Sequence, residues 1–291
     1  MFGGAITALA TPMRGGEVDI EGLRELVERQ IGEGIDGLVP CGTTGEASTL
    51  SPEERARVIR ATVEQAAGRV PVIAGAGANS TRAAVEGSRL AKEAGADALL
   101  HVTPYYNKPT GAGLVDHFRA VAGATDLPVI AYNVPGRTGC DMLPETVARI
   151  AQIPNVVGIK EATGSIVRGQ QVIAACPADF IVLSGDDLTA LALTAVGGKG
   201  VISVVSNLAP GQMSNMIRWA REGRLEEARL VNYRLLKLME LLFIESSPIP
   251  LKAALSLLGI GENELRLPLV PLGGEKLELL RAELRALGLL S

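Results

Sequence analysis

Asn155-Val156-Val157-Gly158-Ile159-Lys160-Glu161-Ala162-Thr163 decides how this chain is read. Its first half is a short apolar run of the kind a strand carries when both faces are buried. Its second half brings a lysine to the end of that run. At the mouth of an apolar strand an ammonium is poorly hydrated, and burial favours the neutral, nucleophilic amine. Alone, the stretch leaves two readings open: a strand ending in a solvated lysine, or a strand presenting a Schiff-base amine.

On both sides the same unit recurs. Strands are expected at 5–9, 34–39, 70–75, 98–102 and 128–133 before it, and at 180–183 and 200–204 after it. Helical patterns lie between them. Asp19 precedes a helix with Leu23, Leu26, Val27 and Ile31 on one face. Ser51-Pro52-Glu53-Glu54 supplies a cap, a proline at the first helical position and first-turn acids. Further helices are expected from Thr81 to Ala94, over 113–122, from Pro144, over 166–174 and through Leu191. Eight strand–helix units in about 205 residues predict an α/β protein of the (β/α)₈ TIM-barrel class. An open doubly wound sheet would need a glycine fingerprint after the first strand, and Ala10-Thr11-Pro12 is not one. After residue 208 the strands stop. Helices are expected at 213–221, 225–243, 249–258 and 276–287, so the chain divides into a barrel (1–208) and a C-terminal helical extension (209–291).

Composition narrows the function classes. The net charge is −4 and no basic run occurs, which argues against nucleic acid as a partner. Cys41, Cys140 and Cys176 are odd in number and far apart, which suits a reducing compartment rather than a disulfide framework. His101 and His117, the only histidines, give no basis for a histidine-built metal site. No apolar run is long enough to span a membrane, and the first residues show no basic leader, so a cytoplasmic location is expected.

Barrels of this class carry their chemistry at the C-terminal strand ends. That rule selects Thr43 and Thr44, Tyr105 and Tyr106, Tyr132 and Arg137, Lys160, Gly185 and Asp186, and Ile202 and Ser203. The set contains an amine, hydroxyls and phenols able to pass protons, and a guanidinium able to grip a carboxylate. A carbonyl substrate attacked by an amine is the natural chemistry. Each residue also has a plain structural reading: a capped turn for Thr43-Thr44, packing for the tyrosines, a surface ion pair for Arg137. Glu46 is expected to take loop amides rather than act as a base. His101 is expected to be a satisfied core histidine and His117 a structural one. Gly197-Gly198-Lys199-Gly200 precedes its strand, at the wrong end of a barrel for phosphate.

Gly42-Thr43-Thr44-Gly45-Glu46, Thr103-Pro104-Tyr105-Tyr106-Asn107-Lys108-Pro109, Tyr132-Asn133-Val134-Pro135-Gly136-Arg137-Thr138-Gly139 and Gly158-Ile159-Lys160-Glu161-Ala162 together resemble the dihydrodipicolinate synthase family, within the pyruvate-dependent class I aldolase and N-acetylneuraminate lyase superfamily. The resemblance runs in order along the whole chain. It implies a Schiff-base-forming lyase of lysine and diaminopimelate biosynthesis that needs no organic cofactor. Lys160 would carry pyruvate as an imine, and the enamine would add to L-aspartate 4-semialdehyde. Tyr132, Thr43 and Tyr106 would relay protons, with Tyr106 reaching in from a neighbouring subunit. Thr44 and the Ile202 backbone would hold the pyruvate carboxylate, Gly185 would line the pocket, and Arg137 would hold the semialdehyde. A homo-oligomer is implied, a dimer at least and a dimer of dimers by expectation. Thr43 and Arg137 weigh against the alternatives, a 2-keto-3-deoxy sugar acid aldolase or an N-acetylneuraminate lyase, while a barrel that merely binds a keto acid would not need the relay. Asn79 and Tyr105 match an effector site for L-lysine. Ala83, Pro52 and Arg55 replace the acid and histidines of sensitive members, so feedback is expected to be weak or absent.

Overall fold

The computed structural model describes residues 2–290. Eight parallel strands form one sheet: β1 (Gly4–Ala8), β4 (Gly37–Val39), β5 (Ile73–Gly75), β6 (Ala98–Val102), β7 (Val129–Asn133), β8 (Val156–Glu161), β9 (Ile181–Ser184) and β10 (Gly200–Ser203). Their order, β4-β1-β10-β9-β8-β7-β6-β5, brings the last strand back to the first, and a Leu38–Val72 bridge closes the ring. This is the expected (β/α)₈ barrel with a helical C-terminus. A hairpin of two residues per strand, β2 (Met13–Arg14) and β3 (Glu17–Val18), was not anticipated.

The helices start where their caps dictate. The Asp19 carboxylate accepts the Gly22 amide at 3.0 Å and opens α1 (Ile20–Gly32). Ser51 and Glu54 form a reciprocal capping box on α2 (Pro52–Ala66). The Thr110 hydroxyl caps α4 (Gly111–Ala122), which therefore begins two residues before the expected 113. The second strand is shorter than expected because Asp36 serves as an anchor, its carboxylate accepting the Ala5 amide at 2.8 Å.

Alternation along the strands builds two apolar layers. Ile6, Val39, Ile73, Leu100, Ile130, Leu183 and Ile202 fill the barrel interior, topped by Tyr132. Leu38, Leu99, Val129, Ile159, Val182 and Val201 face outward against the helices, where most of the apolar burial lies. In β8 the alternation is interrupted. Its register with β7 shifts between Val129 and Ile130, so that Val156 pairs with Val129 and Gly158 with Ile130, leaving Val157 extra. Ile159 thus joins the outer layer, and Lys160 turns into the barrel mouth beside Tyr132. Bulges of this kind re-aim side chains next to active sites.

After the barrel, α9 (Pro210–Arg221) packs against β1, α10 (Leu225–Leu241) against α8 (Asp187–Ala195) and α9, and α12 (Gly274–Ala286) against α10 and α11 (Ile249–Leu257). Met213, Met216, Ile217, Leu235, Leu238 and Leu251 join the outer core. No helix is long and apolar enough to cross a membrane among the described residues.

Candidate active site

Lys160 and Tyr132 are register partners on adjacent strands, and both are buried. Lys160 Nζ lies over the Tyr132 ring, 4.4 Å from its centroid. Two adjoining cavities of about 290 and about 250 Å³ meet around this pair. Both are lined by Lys160, Tyr132, Thr43, Thr44, Val134 and Arg137. Residues from three expected strand ends therefore converge on one space at the C-terminal face of the barrel.

Gly185 lines the second cavity, and its role is spatial. A Cβ there would stand 2.6 Å from Ala162 Cβ, 2.8 Å from Lys160 Cε and 2.9 Å from Lys160 Cγ. The missing side chain is the room the lysine occupies.

Not every expected residue joins. Tyr106 lines neither cavity: it is 89% exposed and has φ +75°. That backbone region is uncommon for a bulky residue. Ile202 sits in the barrel's inner layer and lines neither cavity, whereas Val204, two residues on, lines the second. Tyr105 lines the first cavity with Ser48 and Arg55, and Asn79 lines neither. The Asn79 carbonyl instead accepts Asn107 Nδ2 at 2.9 Å.

Arg137 lies on α5 (Pro135–Thr138), a single helical turn just after β7. Its guanidinium donates to the Ser247 carbonyl at 3.4 Å, and it pairs with no carboxylate among the described residues. The surface ion pair weighed for it is therefore absent there, and the cation faces both cavities.

In place of the loop amides expected for it, the Glu46 carboxylate takes donors from the C-terminal extension. Its Oε2 accepts the Arg266 amide at 3.1 Å, and its Oε1 is paired at 2.6 Å with Lys252 Nζ in a fully buried contact. Burial pushes the Lys252 ammonium down in pKa, opposed by the Glu46 carboxylate beside it. Both Glu46 oxygens are engaged by donors of the C-terminal extension.

A second polar group, unmarked in the sequence reading, stands behind the reacting pair. Asn133 and Glu161 directly follow Tyr132 and Lys160, so alternation turns them outward. Asn133 Nδ2 donates to Glu161 Oε2 at 3.1 Å and to Asp141 Oδ1 at 3.0 Å. Arg168 grips Asp141 with two bonds of 2.7 and 3.0 Å and holds its carboxyl below the usual range. Glu161 Oε1 accepts the Thr163 amide at 2.7 Å, fixing the turn after the lysine. The available signal was positional: a polar residue turned into an apolar layer must find a partner.

The remaining candidates are structural. Burial pushes the Cys41 thiol up to about 12, so it is no nucleophile at neutral pH. His101 is buried and neutral, its pKa lowered by desolvation to about 3. It shares a bond with Ser88 at 3.1 Å, but its Nδ1 has no partner among the described residues, so it is less fully satisfied than expected. His117 contacts Thr81 Oγ1 at 2.9 Å and packs edge-on to Phe118. Lys199 and its glycines lie at the N-terminal end of β10, away from the cavities.

The chain is similar to known proteins over its full length. The 4-hydroxy-tetrahydrodipicolinate synthase of Maridesulfovibrio salexigens is 55% identical over 290 residues, covering 99% of each chain. The crystal structure of dihydrodipicolinate synthase from Thermotoga maritima matches with a TM-score of 0.98 at 47% identity, over 100% of both chains. The chloride-inhibited enzyme from Acinetobacter baumannii, complexed with pyruvate, matches equally well, with a TM-score of 0.98, 47% identity and 100% coverage of both chains. Residues 1–287 match the Dihydrodipicolinate synthetase family. The chain belongs to that family.

Proposed function

We propose that this protein condenses pyruvate with L-aspartate 4-semialdehyde, as a 4-hydroxy-tetrahydrodipicolinate synthase on the diaminopimelate route to lysine. The observation that carries the reading is the burial of Lys160 Nζ beside Tyr132 in a space shared with Thr43, Thr44 and Arg137. Full-length similarity to synthases supports the substrate pair over a sugar acid or N-acetylneuraminate.

The amine of Lys160 attacks the keto carbon of pyruvate, and loss of water leaves an iminium. A methyl proton then departs, the iminium accepts the electron pair, and an enamine forms. Its carbon attacks the aldehyde of the semialdehyde. The amino group of the adduct next attacks the former keto carbon, closing the ring and releasing Lys160. The iminium is itself the electron sink, so the sequence of steps needs no organic cofactor. Tyr132, whose ring lies beside the amine, passes protons in imine formation and cyclisation, with Thr43 as its relay partner. Thr44 holds the keto-acid carboxylate, together with main-chain groups at the end of β10 near Ile202. Arg137 receives the semialdehyde carboxylate, a task suited to a planar fork of donors.

Tyr106 completes the relay from a second copy of the chain, so the working enzyme is a dimer at least, and we favour a dimer of dimers. The exposed, left-handed placement of Tyr106 supports a role outside its own barrel. We divide the chain at residue 208 into the catalytic barrel and a buttressing extension. We place it in the cytoplasm, which its three free thiols suit. The test is substrate discrimination. Pyruvate-dependent consumption of L-aspartate 4-semialdehyde is expected, without cleavage of 2-keto-3-deoxy sugar acids or N-acetylneuraminate; the reverse pattern contradicts the reading.

A further inference from the structure

The C-terminal helices reach the catalytic face of the barrel through a buried ion pair. Lys252 Nζ of α11 donates to Glu46 Oε1 at 2.6 Å across 206 residues of sequence. The two side chains are 2% and 1% exposed. The stretch after α11 adds a second tie, since Glu46 Oε2 accepts the Arg266 amide and Arg266 Nη1 donates to the Thr49 carbonyl at 2.9 Å and to Glu54 at 2.7 Å. Glu46 stands two residues after Thr44 in a left-handed conformation, φ +53°.

A buried ion pair is weak support for stability. Desolvation offsets much of its attraction, and apolar residues of similar volume often serve as well or better. What such a pair does supply is a fixed geometry. The loop's internal bonds, Gly45 N to Gly42 O and Glu46 N to Thr43 O, both 3.1 Å, set the shape of the turn. Thr11 Oγ1 on the Gly45 carbonyl at 2.8 Å and Arg55 Nε on the Ala47 carbonyl at 3.1 Å tie the loop to its neighbours within the barrel, and Lys252 and Arg266 tie it from the C-terminal side through Glu46.

We propose that Lys252 and Glu46 are positioning residues, through which the C-terminal extension fixes where Thr43 and Thr44 stand relative to Lys160. The inference rests on the roles proposed above for those three residues.

Its test uses the full chain as Lys252→Met, Glu46→Gln and both together. Thermal unfolding, pyruvate trapping by borohydride, kcat and KM are measured on each. Both single variants are expected to fold and to trap pyruvate when it is saturating. Their KM for pyruvate should rise about tenfold or more, with a fall in kcat, because a displacement near 1 Å costs about 10²-fold in rate. The double variant, with no lone buried charge, should recover stability without recovering activity. A lowered Tm with kcat and KM within roughly twofold of wild type overturns the proposal, as does a double variant with full activity. Should Lys252→Met not fold, the double variant decides alone. Wild-type protein that traps no pyruvate contradicts the underlying function instead, so the two failures are separable.

Discussion

Gly185→Ala changes one methyl group at the back of Lys160. Gly185 has an ordinary negative-side backbone and its amide donates to the Glu161 carbonyl at 2.7 Å, so an alanine fits the main chain. The conflict is steric. The new Cβ stands 2.8 Å from Lys160 Cε and 2.9 Å from Cγ, with Ala162 Cβ at 2.6 Å closing the other side. Restoring an ordinary carbon contact of about 3.6 Å moves Cε, one bond from the nucleophile, by about 0.8 Å. Ala162 blocks the alternative of shifting the alanine, so the lysine gives way. Overpacking of this kind costs about 1–3 kcal/mol of stability, which a domain of this size tolerates. Misplacing a reacting atom by about 1 Å costs about 10²-fold in rate, near 2.7 kcal/mol of barrier. The assay is steady-state kcat/KM, with the single-turnover rate of pyruvate trapping, on protein shown to be folded by circular dichroism. Both rates are expected to fall together. A folded Gly185→Ala protein within roughly threefold of wild type would refute the claim that the glycine makes room for the lysine.

Three further predictions concern other parts of the chain. Arg137→Ala should retain pyruvate imine formation and the wild-type Tm, since its one recorded bond is long at 3.4 Å, while kcat/KM for the semialdehyde falls roughly 10–100-fold, as loss of a charge-assisted pair implies; equal losses on both substrates would contradict this. His101 has a native pKa of about 3 against an ordinary 6.5, so below about pH 6.5 the unfolded chain binds a proton that the native chain refuses. Stability is therefore lost as pH falls, at up to about 1.4 kcal/mol per pH unit. His117 is lowered too, while Glu54, lowered to about 2, contributes only below its ordinary 4.5. Urea midpoints between pH 6.5 and 5 should show a slope that His101→Gln reduces, and an undiminished slope would count against the assignment. L-lysine at millimolar concentration should leave the rate unchanged, because Ala83, exposed in the first turn of α3 (Thr81–Glu93), offers no acid to its amine; half-inhibition at micromolar lysine would reverse this.

The barrel was legible because its signals are local. Apolar periodicity, Asp19, the Ser51–Glu54 box and Pro144 each act within a few residues. The strand-end rule then selected Lys160, Tyr132, Thr43, Thr44 and Arg137, which line one space. What stayed hidden depends on pairing across the fold. The Val157 bulge exists only in the register between β7 and β8. Glu46 and Lys252 are 206 residues apart. Asn133 and Glu161 gain meaning only once the strands lie side by side. The hairpin at Met13–Val18 is too short for any periodicity.

The central claim is that Lys160 is the covalent nucleophile. Borohydride reduction in the presence of pyruvate, followed by peptide mass mapping, tests it most directly. The account predicts one reduced pyruvate per chain on the peptide carrying Lys160, and none on Lys160→Ala. An adduct on another lysine, or an active wild-type enzyme with no adduct, would contradict it.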